Sequence, residues 1–107
     1  MRTEEVEKML RNNIKIVNHY DLKTQMFVWI EEMSELIKVI CKWARKYDEL
    51  EGDITPELKK GFIDETIDVT IVLDQIKYKV NILEDIILEG YKFKVDRQLE
   101  RIKNESN

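Results

Sequence analysis

Two pairs of acids stand one helical turn apart in the two most apolar stretches of this chain. The first is Glu31-Glu32-Met33-Ser34-Glu35 and the second is Glu65-Thr66-Ile67-Asp68. Residues three and four apart share a face of a helix. One face therefore reads Val28, Glu32, Glu35, Val39, Lys42, and another reads Gly61, Glu65, Asp68, Val72, Gln75. If the two segments form an antiparallel hairpin about the connection at 48–55, both pairs lie about 15 to 24 Å from the turn and meet at one level. Four unpaired carboxylates gathered in a partly dehydrated space cannot all stay ionised, so the arrangement calls for a cation.

The ligand types select the ion. Glu32, Glu35, Glu65 and Asp68 offer only oxygen, which suits hard, hydrated Mg²⁺, with Mn²⁺ as the usual substitute. Di-iron bundles use Glu-x-x-His pairs, and His19, the only histidine, does not follow a glutamate by three. An octahedral ion held by a few carboxylates keeps positions for water or substrate phosphates, so the expected chemistry is phosphoryl or nucleotidyl transfer to water. The plain alternative is a solvated helix face. One Glu-x-x-Glu means little in a chain with 22 acidic residues, but two pairs at matched distance from one turn are harder to obtain that way.

Helical periodicity supplies the elements that would carry these acids. A first helix is expected from about Thr3 to Asn18, and a second from about Leu22 to Tyr47 with Asp21 as its cap. Along the second, Trp29, Met33, Leu36, Ile40, Trp43 and Tyr47 read as a continuous buried stripe. Thr55-Pro56-Glu57 gives a cap, a first-turn proline and a first-turn acid for a third helix, with stripes at Phe62, Thr66, Val69, Leu73, Ile76, Val80 and at Ile63, Ile67, Ile71. Asn81 and Glu84 read as a capping-box variant opening a fourth helix to about Lys103, with Leu88, Tyr91, Val95, Leu99 and Ile102 on its apolar face. Gly90 within it suggests close packing or a kink.

The fold class is therefore all-α, a four-helix bundle in one domain over residues 1–107. The second and third helices are apolar on more than one side, which leaves more apolar stripe than one such layer covers, so a homodimer or homotetramer is expected. A net charge of −4 with no basic block excludes nucleic acid as a natural partner. The lone Cys41 rules out an internal disulfide, no run approaches a membrane span, and the N-terminus is too polar for a signal peptide; a cytoplasmic location is expected.

These residues resemble the all-α nucleoside triphosphate pyrophosphohydrolases, which include MazG-like proteins and the dimeric all-α dUTPases and dCTPases. Their signature is Glu-Glu-x-x-Glu on one helix and Glu-x-x-Asp on the next, matched here by Glu31-Glu32-Met33-Ser34-Glu35 and Glu65-Thr66-Ile67-Asp68. Tyr20, Gln25 and the late basic helix around Lys94, Arg97 and Arg101 extend the similarity over about residues 15 to 103. The connection between the two motifs is at the long end for that family. The resemblance implies hydrolysis of a nucleoside triphosphate between the α and β phosphates, giving monophosphate and pyrophosphate. Its metal ligands carry over as Glu32, Glu35, Glu65 and Asp68.

The remaining candidates have two readings each. Glu31 either positions or deprotonates the attacking water, or faces solvent, since it points roughly 100° away from Glu32. Lys94, Arg97 and Arg101 share a face suited to phosphate, or form a solvated helix end. Gln25, about two turns before Glu32, either reads a base edge or takes no part in binding. Trp29 and Trp43 fall on the apolar stripe and read as packing residues. The rival to an enzyme is a helical protein-interaction module, or an inactive member of the same fold.

Overall fold

The computed structural model describes residues 3–105 as four helices: α1 (Glu4–Val17), α2 (Leu22–Lys46), α3 (Pro56–Lys79) and α4 (Glu84–Glu105). Met1, Arg2, Ser106 and Asn107, which the single-domain expectation includes, lie outside the described residues. The first three helices begin where side chains satisfy free backbone N–H groups. Thr3 Oγ1 accepts from Val6 N at 3.2 Å, Asp21 Oδ1 from Thr24 N at 2.7 Å, and Thr55 Oγ1 from Leu58 N at 3.2 Å. Pro56 at the first turn of α3 forfeits an N–H that would have had no helical partner.

Asn81 does a different job from the one its sequence context suggests. It adopts φ 58°, the left-handed region that asparagine tolerates better than most residues. Its N–H reaches Tyr78 O at 3.1 Å and the next, Ile82 N–H, reaches Lys77 O at 2.9 Å. That pair of bonds is a Schellman closure of α3, so Asn81 ends α3 and does not cap α4. In the connection between α2 and α3, Gly52 has φ 79° and donates to Tyr47 O at 2.9 Å, while an added Cβ would lie 3.1 Å from the Tyr47 hydroxyl. The backbone angle favours glycine there, and an added side chain would also have to displace the Tyr47 hydroxyl by a few tenths of an ångström.

α2 and α3 pack as an antiparallel hairpin whose levels can be followed residue by residue. Gln25 faces Gln75, the Trp29 indole N–H donates to Val69 O at 3.2 Å, and Val39 faces Gly61. Near the turn, the Trp43 and Phe62 rings meet edge to face at 6.1 Å, and the Trp43 indole donates to Asp53 O at 3.1 Å. Both tryptophans thus serve packing and anchoring. α1 lies against α3, where Lys79 Nζ donates to the carbonyls of Val17 and Tyr20 and so satisfies groups at the end of α1.

α4 packs on none of the other three helices, and every one of its residues is exposed. The structure is all-helical as expected, but the packed unit within one chain is α1–α3. Space around Gly90 is open, so that glycine serves no close contact. The stripe on α2 is also less deeply covered than its pattern suggests: Trp29, Met33, Leu36 and Trp43 are half-buried, and Ile40 and Tyr47 are exposed. Among the described residues only Val17 and Leu58 are buried apolar side chains.

The radius of gyration, 17.7 Å, exceeds the roughly 13 Å of a compact chain of this length. The accessible surface of 9160 Å² similarly exceeds the roughly 6300 Å² expected of a folded monomer of 12.9 kDa. No helix among the described residues is long and apolar enough to cross a membrane.

Candidate metal centre

The α2–α3 register brings three of the four expected ligands together. One carboxylate oxygen each from Glu32, Glu65 and Asp68 lies within 4.8 Å of the others. Glu32 sits on α2 one turn beyond Val28, and Asp68 on α3 one turn before Val72, so antiparallel pairing sets them opposite each other. Glu65, one turn from Asp68 on the same face, completes the group. Glu32 and Glu65 are half-buried and Asp68 is exposed, which leaves one side of the cluster open to solvent.

Electrostatics match that geometry. Burial raises the pKa of Glu32 above the ordinary glutamate value, and the charges of Asp68 and Glu65 raise it further, with smaller contributions from Glu31 and Glu35. A divalent cation would reverse each of these penalties. Oxygens on one octahedral Mg²⁺ ion stand about 3.0 Å apart when adjacent and about 4.2 Å when opposed, so the three carboxylates would close by up to about 2 Å to hold one.

Glu35, the fourth expected ligand, is outside this cluster. It is half-buried and forms an ion pair with Lys38 on its own helix at 3.1 Å. A lysine three residues on offers a charge partner, whereas the carboxylates across the groove repel it. Glu31 is exposed, and its carbonyl accepts a 2.8 Å bond from Ser34 Oγ within the helix. Lys94, Arg97 and Arg101 lie on α4, away from the packed helices, so within one chain they do not reach the carboxylates. The Arg97 guanidinium lies over the Phe93 ring, 5.6 Å from its centroid.

Gln25 is placed near the site but is neither exposed nor alone. It is 3% exposed and donates from Nε2 to Gln75 Oε1 at 2.9 Å. Gln75, 6% exposed, donates to Asn13 Oδ1 at 2.7 Å, and Asn13 Nδ2 donates to Ile71 O at 3.3 Å. Neither Gln75 nor Asn13 was singled out from sequence. The available signal was that Gln75 continues the face of Glu65, Asp68 and Val72; nothing in the periodicity of α1 marks Asn13.

A cavity of about 320 Å³ opens beside this amide pair, one turn from the carboxylates and between Val28 and Val72. A larger one, about 500 Å³, lies between α1 and the end of α3 and touches none of the three clustered acids. No protein-family profile, curated protein or solved structure matches this chain.

Proposed function

We propose that this protein is a Mg²⁺-dependent nucleoside triphosphate pyrophosphohydrolase of the MazG-like, all-α type, with Mn²⁺ able to substitute. The observation that carries the reading is the convergence of Glu32, Glu65 and Asp68 on adjacent turns of α2 and α3. Those three carboxylates would hold the ion, which would supply neutralisation of phosphate charge and acidification of a water. Burial, and then the neighbouring acids, disfavour the Glu32 charge, which an ion there would offset. Release of the Lys38 contact would let Glu35 join as a fourth ligand; that surface ion pair is weak enough to exchange.

The active form is a homodimer or homotetramer in this reading. The exposed apolar residues Phe27, Ile30, Ile37, Ile63 and Ile67 on the hairpin, with Leu88, Tyr91 and Phe93 on α4, support it. Closing a bundle with α4 requires another chain, and so does bringing Lys94, Arg97 and Arg101 to phosphates at the acids. The same exposed α4 favours, as a second reading, a helical interaction module with no catalysis.

The two separate in one assay. A panel of NTPs and dNTPs with millimolar Mg²⁺ is expected to release pyrophosphate from at least one member, with release lost in Glu32→Gln and in Asp68→Asn. Orthophosphate as the first product, or activity surviving both substitutions, would contradict the reading.

A further inference from the structure

α2 carries its charge on one side. Between Thr24 and Ala44 the charged residues are Glu31, Glu32, Glu35, Lys38 and Lys42, and at about 100° per residue all of them fall within roughly 120° of the helix circumference. The opposite side is apolar. Met26, Ile30, Met33, Ile37, Ile40 and Ala44 follow one another at steps of four and three, the spacing of a seam between two helices. This seam lies roughly 100° around α2 from the side that meets α3. α2 packs on no other helix, and every residue of the seam except Met33 is exposed, Ile30 and Ile37 at 57% and 58%.

α4 presents a matching stripe. Ile87, Leu88, Tyr91, Val95 and Leu99 line one side of it, and all are exposed. A helix of 22 residues that packs on no other helix draws little stability from tertiary contact, and Gly90 costs it about 1 kcal/mol relative to alanine. Its persistence in water requires a cover.

Within one chain α2 and α4 do not meet, so both surfaces call for a second copy. Pairing seam with seam leaves α4 bare, and pairing α4 with α4 leaves the seam bare. The crossed contact, α4 on seam, covers both, and repeated about a two-fold axis it closes on itself. The lengths agree: the α4 stripe spans about 17 Å and the seam about 27 Å, so the stripe fits within the seam. The area agrees as well. The chain exposes 9160 Å² where roughly 6300 Å² is expected of a folded monomer. Two chains hiding half of that excess would bury about 2900 Å², within the roughly 2000 to 5000 Å² of obligate homodimers.

We infer that α4 of each chain lies along the α2 seam of a second copy, so that a two-fold pair exchanges its last helices. This pairing rests on the oligomer proposed above but asks nothing of the metal or of hydrolysis.

Cys41, the only cysteine, is exposed at the edge of the seam, one turn from both Ile37 and Ala44. A maleimide nitroxide placed there on unenriched chains, co-refolded with an equal amount of unlabelled ¹⁵N-enriched chains, reports only contacts between copies. Amide signals over residues 87–99 of the enriched chains are expected to lose up to about half their intensity, because half of their partners carry the label, and to recover on reduction with ascorbate. Strongest loss on α2 would mean seam-on-seam pairing and would overturn the inference while leaving the oligomer in place. No loss at all would overturn it too. Ile37→Glu checks the same contact without a label. A charge at a position 58% exposed is harmless to the single chain, so light scattering should show the mass fall to the 12.9 kDa of one chain. Circular dichroism should lose helical signal as the uncovered α4 frays. A mass unchanged by Ile37→Glu would overturn the inference, whether or not triphosphates are hydrolysed.

Discussion

Replacing Glu32 with glutamine should make the metal-free protein more stable, the opposite of what loss of a half-buried charge at an ion pair would do. Glu32 has two carboxylate neighbours, Glu65 and Asp68, with oxygens within 4.8 Å. Two unit charges at that distance repel by about 1 kcal/mol in a water-like dielectric and about 3 kcal/mol at an effective dielectric of 20. Asp68 is exposed, so the lower figure suits each pair, giving about 2 kcal/mol for the two relieved together. For a chain of this size that is a rise of roughly 10 °C in melting temperature. The effect should depend on pH with a definite sign. Because the folded-state pKa of Glu32 is raised, wild-type stability falls as pH rises from the ordinary carboxylate value through the raised one, and the glutamine variant lacks that fall. Thermal melts in EDTA at low ionic strength, from pH 4 to pH 8, would show the two curves diverging upwards in pH. Saturating Mg²⁺ should reverse the order, since a ligand at 100 times its dissociation constant adds about 2.7 kcal/mol to wild type alone. A metal-free Glu32→Gln protein no more stable than wild type at pH 8 would refute the cluster as a set of mutually repelling carboxylates.

Other consequences follow from the scaffold. Asp21 is held below its usual pKa chiefly by hydrogen bonds from Thr24, with Lys79 adding a smaller lowering. Its cap should therefore stabilise the fold above the ordinary carboxylate value and be lost as pH falls through the depressed one, so urea midpoints of wild type and Asp21→Ala should converge in acid. Thr55→Ala should lower stability by about 1 kcal/mol in urea unfolding. Leu58→Ala, at one of the two buried apolar positions, should lower it by about 2 to 3 kcal/mol. Light scattering should give a mass above the monomer, and Tyr91→Glu with Phe93→Glu should reduce it; an unchanged mass would remove α4 from the interface.

Much of the scaffold was legible because its signals are local. Thr3, Asp21 and Thr55 announce three helix starts within a residue, and the acid pairs declared a shared level because helical spacing and equal distance from a turn fix height along an antiparallel hairpin. What periodicity cannot carry is the outcome of a competition. Asn81 fits a cap and a left-handed helix end equally well, and the backbone at Ile82 decided it. Glu35 has the spacing of a ligand, but its side chain pairs with Lys38 on its own helix. An amphipathic α4 promises an apolar partner without saying whether that partner is in the same chain. The relay through Asn13, Gln75 and Gln25 joins three helices, and no pattern within one helix encodes it.

The most direct test of the central claim is a Mn²⁺ titration followed by electron paramagnetic resonance, in which bound ion loses the sharp signal of the free hexaaquo species. Wild type should show saturable binding at micromolar to millimolar Mn²⁺, displaced by Mg²⁺ and strengthened by a non-hydrolysable nucleotide, and Glu65→Gln with Asp68→Asn should abolish it. Binding that is equally strong in the double variant, or absent from wild type at millimolar ion, would contradict the account.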